Sequence, residues 1–286
     1  MISSKTKLLC LIGNPVEHSI SPQMHNAMFK ELNLDFALVS FKVEETELSD
    51  AVKGIRALGI KGGNVTLPHK TSIMKLLDEI DDSSKEVDSV NTFLNDNGIL
   101  KGFNTDGIGA LKALEENGIS LKNKKVVIIG AGGASKSISH VVAMESPSEL
   151  VILNRNISKA KSIADKINKK LGKKARVFEL SSENLKSELK DTDILINCSS
   201  VGMKPNLNET TVSKEFLHKN LTVMDIIYNP LETRLLKEAK SVGAKTINGI
   251  GMLVNQGALA FEIWTGKKAP VELMRRVAIE NLKGFT

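Results

Sequence analysis

The sequence predicts an α/β protein of two domains, and three observations predict it. Short runs rich in Val, Ile and Leu alternate with longer amphipathic stretches from end to end, the pattern of βα units. The 286 residues exceed the needs of one small core and suit two domains of ordinary size. The unbroken apolar run Val126-Val127-Ile128-Ile129, as expected of a strand covered on both faces, leads into a glycine-rich turn and a helix that open a second unit.

Each element follows from local pattern. A strand is expected at Leu8 to Gly13, then a helix from Pro22 in which Met24, Ala27, Met28 and Leu32 recur at helical spacing, then a strand at Phe36 to Val43. Glu44 to Leu58 reads as a second helix, and a strand ending in Asn64-Val65-Thr66 is stopped by Leu67-Pro68 before another short helix. From Val90 to Asn104 two short strands flank Asn97-Gly98, a hairpin turn signal. The chain is cut near residue 105. Strands follow at Lys125 to Ile129, Leu150 to Asn154, Arg176 to Glu179, Ile194 to Cys198 and Val223 to Ile227. Gly251 to Trp264 and Pro270 to Leu282 are helical without a partner strand, so they are expected to pack back onto the first unit.

Composition excludes several classes. Apolar residues at 41% and charged residues at 25% are ordinary for a globular chain, and 21 Gly with 7 Pro exclude collagen-like and low-complexity sequence. The net charge of +6 is mild, and one Trp and one Tyr leave little to stack on bases, so no nucleic acid partner is expected. No apolar run approaches bilayer length, so no membrane association is expected. Cys10 and Cys198 lie in apolar runs and read as buried reduced thiols of a cytoplasmic protein. The five histidines lack metal-ligand spacing, so no metal is assigned, and there is no Gly-x-Ser-x-Gly nucleophile elbow.

Gly130-Ala131-Gly132-Gly133-Ala134-Ser135 follows a strand and opens a helix, the context of a dinucleotide fingerprint. Gly130 permits the turn, Gly132 lets backbone approach a pyrophosphate, and the helix N-terminus offers free N–H groups. The next strand ends in Asn154-Arg155-Asn156, with Lys159 a turn later, where an NAD site usually carries an acid. A guanidinium suits a 2′-phosphate, so NADP is favoured over NAD. In the first domain, Ser19 and Ser21 flank Ile20 before a helix; either caps that helix, or the two hydroxyls hold a carboxylate. Asn64, Thr66 and Lys70 stand at a strand end and the following turn, where open α/β sheets place ligands. Asn91-Thr92 and Asn104-Thr105-Asp106 lie on the hairpin, as turn formers and a helix cap or as further polar ligands.

These motifs run in order along nearly the whole chain: GNPVEHSISPQMHN, GGNVTLPHK ending at Lys70, VNT containing Asn91, GFNTDGIGA containing Asp106, GAGGASKS at the cofactor turn, NRN around Arg155, DIIYNP containing Tyr228, and NGIGMLVNQGALAFEIWTG. The sequence thereby resembles the shikimate dehydrogenase family, including its quinate/shikimate relatives. The resemblance implies a substrate-binding and catalytic domain of residues 1–105 plus 253–286, with a mainly parallel sheet, and an NADP-binding Rossmann domain of residues 106–252. It implies reversible NADP-dependent reduction of 3-dehydroshikimate to shikimate, with Lys70 and Asp106 catalytic. Ser19 and Ser21 would hold the substrate carboxylate, and Asn64, Thr66, Asn91, Asp106 and Gln256 its hydroxyls. Gly130, Gly132, Gly133, Ala134, Asn154, Arg155 and Lys159 would hold the adenosine phosphates and ribose, with Tyr228, Gly249 and Met252 near nicotinamide and substrate. Asn255 departs from the family, which has a larger side chain before the Gln. Val201-Gly202-Met203-Lys204-Pro205 resembles a segment of the quinate/shikimate group, so quinate and NAD use stay open, as does a homodimer. Two further alternatives are a non-catalytic NADP-binding sensor and a reductase of a cyclic amino or folate substrate.

Overall fold

A computed structural model describes residues 2–283. Its contacts divide the chain into two compact units, Met1–Gly109 with Val254–Thr286, and Ala110–Leu253.

The first unit begins with β1 (Lys7–Gly13), α1 (Ser21–Glu31), β2 (Phe36–Lys42), α2 (Leu48–Ala57), β3 (Gly62–Val65), β4 (Glu79–Ile80), α3 (Asp82–Val87), β5 (Thr92–Asp96), β6 (Ile99–Phe103) and the start of α4 (Asp106–Glu116). Its sheet has the order β2-β1-β3-β5-β6-β4. β1 runs parallel to β2 and β3, and β4 parallel to β6, whereas β5 is antiparallel to both neighbours. The hairpin between β5 and β6 turns on Asn97 and Gly98, both at positive φ (53° and 95°), as two-residue turns of that hand require. Leu48, Val52 and Ile55 place one apolar stripe of α2 over Cys10, Ile12, Val65, Phe93 and Leu100. Gly63 allows β3 to lie close to β1: a Cβ there would come within 2.1 Å of the Cys10 carbonyl oxygen. The short helix expected after Leu67-Pro68 is a single 3-10 stretch, Ser72–Leu76, whereas β4 and α3 beyond it, of two and six residues, are too short to carry periodicity in the sequence.

The second unit continues with β7 (Lys125–Ile129), α5 (Gly133–Met144), β8 (Glu149–Asn154), α6 (Ile157–Leu171), β9 (Ala175–Glu179), α7 (Ser182–Leu189), β10 (Ile194–Asn197), β11 (Thr222–Asp225), α8 (Arg234–Ser241) and β12 (Lys245–Ile247). All pairings in the order β12-β11-β10-β7-β8-β9 are parallel. Strand order reverses between β7 and β10, the switch point of a dinucleotide-binding sheet. Alternate residues serve opposite faces: Val126, Ile128 and Ile152 pack under α5 and α6, and Val127, Ile129 and Val151 under α7 and α8. β12 has no apolar run to mark it in the sequence: Lys245 and Thr246 leave Ile247 as its only buried residue.

Two helices complete the chain, α9 (Ile250–Thr265) and α10 (Val271–Lys283). The division into units falls inside α4 and α9, whereas the expected cuts at 105/106 and 252/253 lie slightly upstream. After Val254 the chain packs into the first unit, as expected of the last helices. Phe261 stacks on Phe29 at 5.5 Å, Trp264 lies 5.0 Å from His25, and the Trp264 indole N–H donates to the Phe93 carbonyl at 3.1 Å. His25 is fully buried in this layer with neither ring nitrogen bonded, and burial pushes its pKa down to about 3, so it stays neutral. Cys10 and Cys198 are buried and unbridged.

Candidate active site

The first unit's cluster grows from three adjacent strand ends. β3, β5 and β6 are neighbours in the sheet, and the segments flanking them bring Lys70, Asn91 and Asp106 together. The turn after β3 is pinned from below: His69 is buried with its Nε2 2.7 Å from the Val43 carbonyl, and the Lys70 carbonyl accepts from Val90 N–H at 2.8 Å. Its side chain is thereby presented to the start of α4. Lys70 Nζ donates to Asp106 Oδ2 at 2.5 Å, with side-chain exposures of 18% and 5%. The other oxygen, Oδ1, accepts from Asn91 Nδ2 at 2.9 Å. A nearly buried carboxylate thus has both oxygens occupied, one by an ammonium that retains two further donors.

Asn91 is fixed reciprocally by Thr105. Thr105 N–H donates to Asn91 Oδ1 at 2.8 Å, and Asn91 Nδ2 donates to Thr105 Oγ1 at 2.9 Å. Gln256, from α9, brings Oε1 to 3.4 Å from Asn91 Nδ2. Asn64 donates to Thr92 Oγ1 at 3.0 Å and leaves its buried Oδ1 without a donor. A buried acceptor of that kind beside a cluster of polar groups suits a ligand hydroxyl. Thr105 and His69 had no assigned role from sequence; the only signal for Thr105 was its place between Asn104 and Asp106.

Ser19 and Ser21 form a second group. Neither caps α1: Ser21 is its first residue, the cap position is Ile20, without a side-chain bond, and Ser19 Oγ instead accepts from Ser21 N–H at 3.3 Å. Pro22 at the helix start removes one donor that a cap would have served. Thr66 is half-buried just after β3, its N–H donating to the Ile12 carbonyl at 2.9 Å. Among the described residues no hydrogen bond joins these three to the Lys70 cluster. Asp106, read alternatively as a cap, is the first residue of α4, and its own N–H donates to Asn104 Oδ1 at 3.1 Å.

In the second unit the glycine-rich turn has the geometry a dinucleotide needs. Gly130 takes φ +109°, and a Cβ there would stand 3.1 Å from the Cys198 carbonyl oxygen. Gly132 caps α5 in extended conformation without any side-chain bond, and a Cβ placed on it would meet nothing within 4 Å, so the space before the helix is open. Ser135 Oγ donates to the Gly130 carbonyl at 2.6 Å and holds the turn from within. Gly133 begins α5 and Ala134 follows it, both half-buried. Asn154 ends β8 and its amide donates to the Asn156 carbonyl at 2.8 Å. Arg155 and Lys159 are exposed, and among the described residues neither has an ion pair. Two exposed cations without an ion pair after β8, the strand that pairs with β7, and no acid at the end of β8, fit NADP and its 2′-phosphate.

Tyr228 is half-buried in the turn after β11. Gly249 is required by packing, since a Cβ would come within 2.1 Å of the Ile226 carbonyl oxygen, and Met252 belongs to the unit's apolar core. Among the described residues no group of His, Cys, Asp or Glu is arranged to hold a metal.

Three family models match in order along the chain: the shikimate dehydrogenase substrate binding domain over residues 11–93, shikimate / quinate 5-dehydrogenase over residues 112–239, and the shikimate 5′-dehydrogenase C-terminal domain over residues 249–279. A shikimate dehydrogenase (NADP(+)) of Methanopyrus kandleri is 46% identical over 284 residues, covering 99% of this chain and 98% of its own. A crystal structure of shikimate dehydrogenase in complex with NADP+ superposes with a TM-score of 0.93 at 47% identity, covering 99% of this chain and 98% of its own. That of shikimate 5-dehydrogenase from Listeria monocytogenes in complex with shikimate and NAD gives 0.89 at 42%, covering 96% and 97%.

Proposed function

The chain belongs to the shikimate dehydrogenase family, and from that premise we propose that it is an NADP-dependent oxidoreductase interconverting 3-dehydroshikimate and shikimate. The reaction is a step of the shikimate pathway of aromatic amino-acid biosynthesis. The observation that carries the reading is the Lys70–Asp106 pair at 2.5 Å, held on its far side by Asn91.

When bound, NADPH would supply the hydride that reduces the ring carbonyl. As negative charge develops on the carbonyl oxygen, a donor must stand within hydrogen-bond reach of it. Lys70 Nζ is that donor: it gives a proton to the oxygen and is left as an amine, which solvent reprotonates. Asp106 orients the ammonium through Oδ2, and Asn91 on Oδ1 stops the carboxylate from turning away. Ser19 and Ser21 hold the substrate carboxylate, while Asn64, Thr66, Asn91 and Gln256 hold ring hydroxyls. Gly130, Gly132, Gly133 and Ala134 would hold the pyrophosphate, Asn154, Arg155 and Lys159 the 2′-phosphate and ribose, and Tyr228, Gly249 and Met252 would lie near the nicotinamide and substrate, Tyr228 as a substrate ligand. The first unit is then the substrate domain and the second the cofactor domain.

A sensor without chemistry has no need of an intact Lys70–Asp106 pair. Use of NAD is the second reading, favoured by the NAD complex of the Listeria relative. Initial rates with shikimate and quinate, each with NADP and NAD, test all of these. Shikimate with NADP is expected to be fastest, and no turnover of that pair would overturn the proposal. Among the described residues no helix is long and apolar enough to cross a membrane. A cytoplasmic location and a homodimer complete the proposal, to be checked by fractionation and sedimentation.

A further inference from the structure

The second unit holds a buried carboxylate that no cofactor or substrate assignment uses. Asp225 is the last residue of β11 and Asn197 the last of β10, directly opposite each other in the parallel register. Both are fully buried, and Thr233 is 1% exposed. Asp225 Oδ1 accepts from Asn197 Nδ2 at 3.0 Å and from Ile227 N–H at 3.2 Å, and Oδ2 accepts from Thr233 Oγ1 at 2.7 Å. The network extends outward at both ends. Asn197 Oδ1 accepts from Ser199 N–H at 3.2 Å and Oγ at 2.8 Å, and Ser199 Oγ accepts from Val201 N–H at 3.3 Å. Thr233 Oγ1 in turn caps α8 by accepting from Leu236 N–H at 3.3 Å.

Among the described residues nothing cationic offsets this carboxylate, and burial pushes its pKa up to about 6 against the pull of its three donors. A sheet that merely needed filling would be served better by an apolar side chain. What the carboxylate does is tie three segments to one point: the turn after β10, the turn after β11 that carries Tyr228, and the start of α8. The first of these passes Gly130 across the switch point, and the second receives Gly249 N–H on the Ile227 carbonyl at 3.0 Å. In sheets of this order the phosphates cross at the switch point, one nucleotide lies over the β8 side and the other over the β10 and β11 ends.

We infer that Asp225 is a positioning residue for the nicotinamide half of the cofactor pocket, holding the turns after β10 and β11 in place through Asn197 and Thr233. The inference rests on the NADP reading above. The adenosine half, around Arg155 on the other side of the switch point, is built without it.

The two halves can be separated by ligand. Adenosine 2′,5′-bisphosphate occupies only the adenosine half, whereas NADPH occupies both. Affinities of the full-length protein for each are measured by calorimetry, for wild type, Asp225→Asn, Thr233→Val and Thr233→Ser. Asp225→Asn and Thr233→Val are each expected to weaken NADPH about tenfold, the scale of one or two buried hydrogen bonds, while the bisphosphate stays within about twofold. Thr233→Ser, which keeps the hydroxyl, is expected to restore NADPH binding. Equal loss for both ligands, or loss for neither, would overturn the inference, and so would a Thr233→Ser variant no better than Thr233→Val. Should Asp225→Asn fail to fold, Thr233→Val carries the same comparison. If wild type binds neither ligand, it is the NADP reading that fails, and the positioning role falls with it.

Discussion

Lys70 holds Asp106 with one ammonium, and the proposed reaction adds two demands on it: to meet a ketone oxygen and to give up a proton. Replacing it with alanine is expected to lower kcat by on the order of 10²- to 10⁴-fold while the KM for shikimate changes far less, since the hydroxyl and carboxylate ligands remain. Comparable loss in KM with kcat preserved would make Lys70 a binding residue only. Arg155, on the proposed reading, touches the cofactor alone. Arg155→Ala should raise the KM for NADP by about tenfold or more with little effect on NAD, measured by steady-state kinetics with both. His25 affects stability instead. Its folded pKa of about 3 lies below the unfolded value near 6.5, so the unfolded chain binds the extra proton and stability falls as pH drops below that value. Relative to His25→Phe, wild type should lose up to about 1.4 kcal/mol per pH unit between pH 6.5 and 4.5, read from urea midpoints. A pH-independent difference would show that His25 is not held neutral.

At the scale of elements, what could be read from sequence depended on how a segment is buried. β7, β8 and β10 are covered on both faces, so they appear as apolar runs within a residue or two of their observed bounds, and β11, equally covered, is legible from Val223 and Met224 although Asp225 interrupts its run. β4 and β12 are short and end their sheets, where pairing partners rather than side chains decide the conformation. The serine pair illustrates a different limit: Ser-Pro at a helix start fits a cap in pattern, yet Ile20 occupies the cap position and the serines bond to each other. Packing between elements was equally hidden. Trp264→Phe removes the buried bond to the Phe93 carbonyl and should cost about 1–2 kcal/mol in chemical denaturation. Gly63→Ala would thrust a methyl group into the backbone of Cys10 and should destabilise more than the tryptophan change, because a strand in mid-sheet has no room to yield.

For the molecule as a whole, the candidate site residues stand in separate motifs of the sequence, and the assembly of Lys70, Asn91, Asp106 and Gln256 is visible only in the fold. Lys70 and Asp106 are 36 positions apart, and Gln256 stands 165 positions from Asn91. Only the order β3-β5-β6, with α9 packed back, closes those distances, and such order is set by long-range pairing that no local window contains. Thr105 escaped assignment for the same reason: its clamp on Asn91 exists only once the hairpin has formed.

Building one unit from both ends of the sequence also imposes a schedule on biosynthesis. The ribosome finishes residues 110–253 before it makes the segment bearing Phe261 and Trp264. At usual elongation rates the nascent first unit therefore waits roughly seven to thirty seconds with Phe29 and the neighbouring apolar surface bare. Newborn chains should be most dependent on chaperones during that interval, and slowing translation across the middle of the message should lower the yield of active protein.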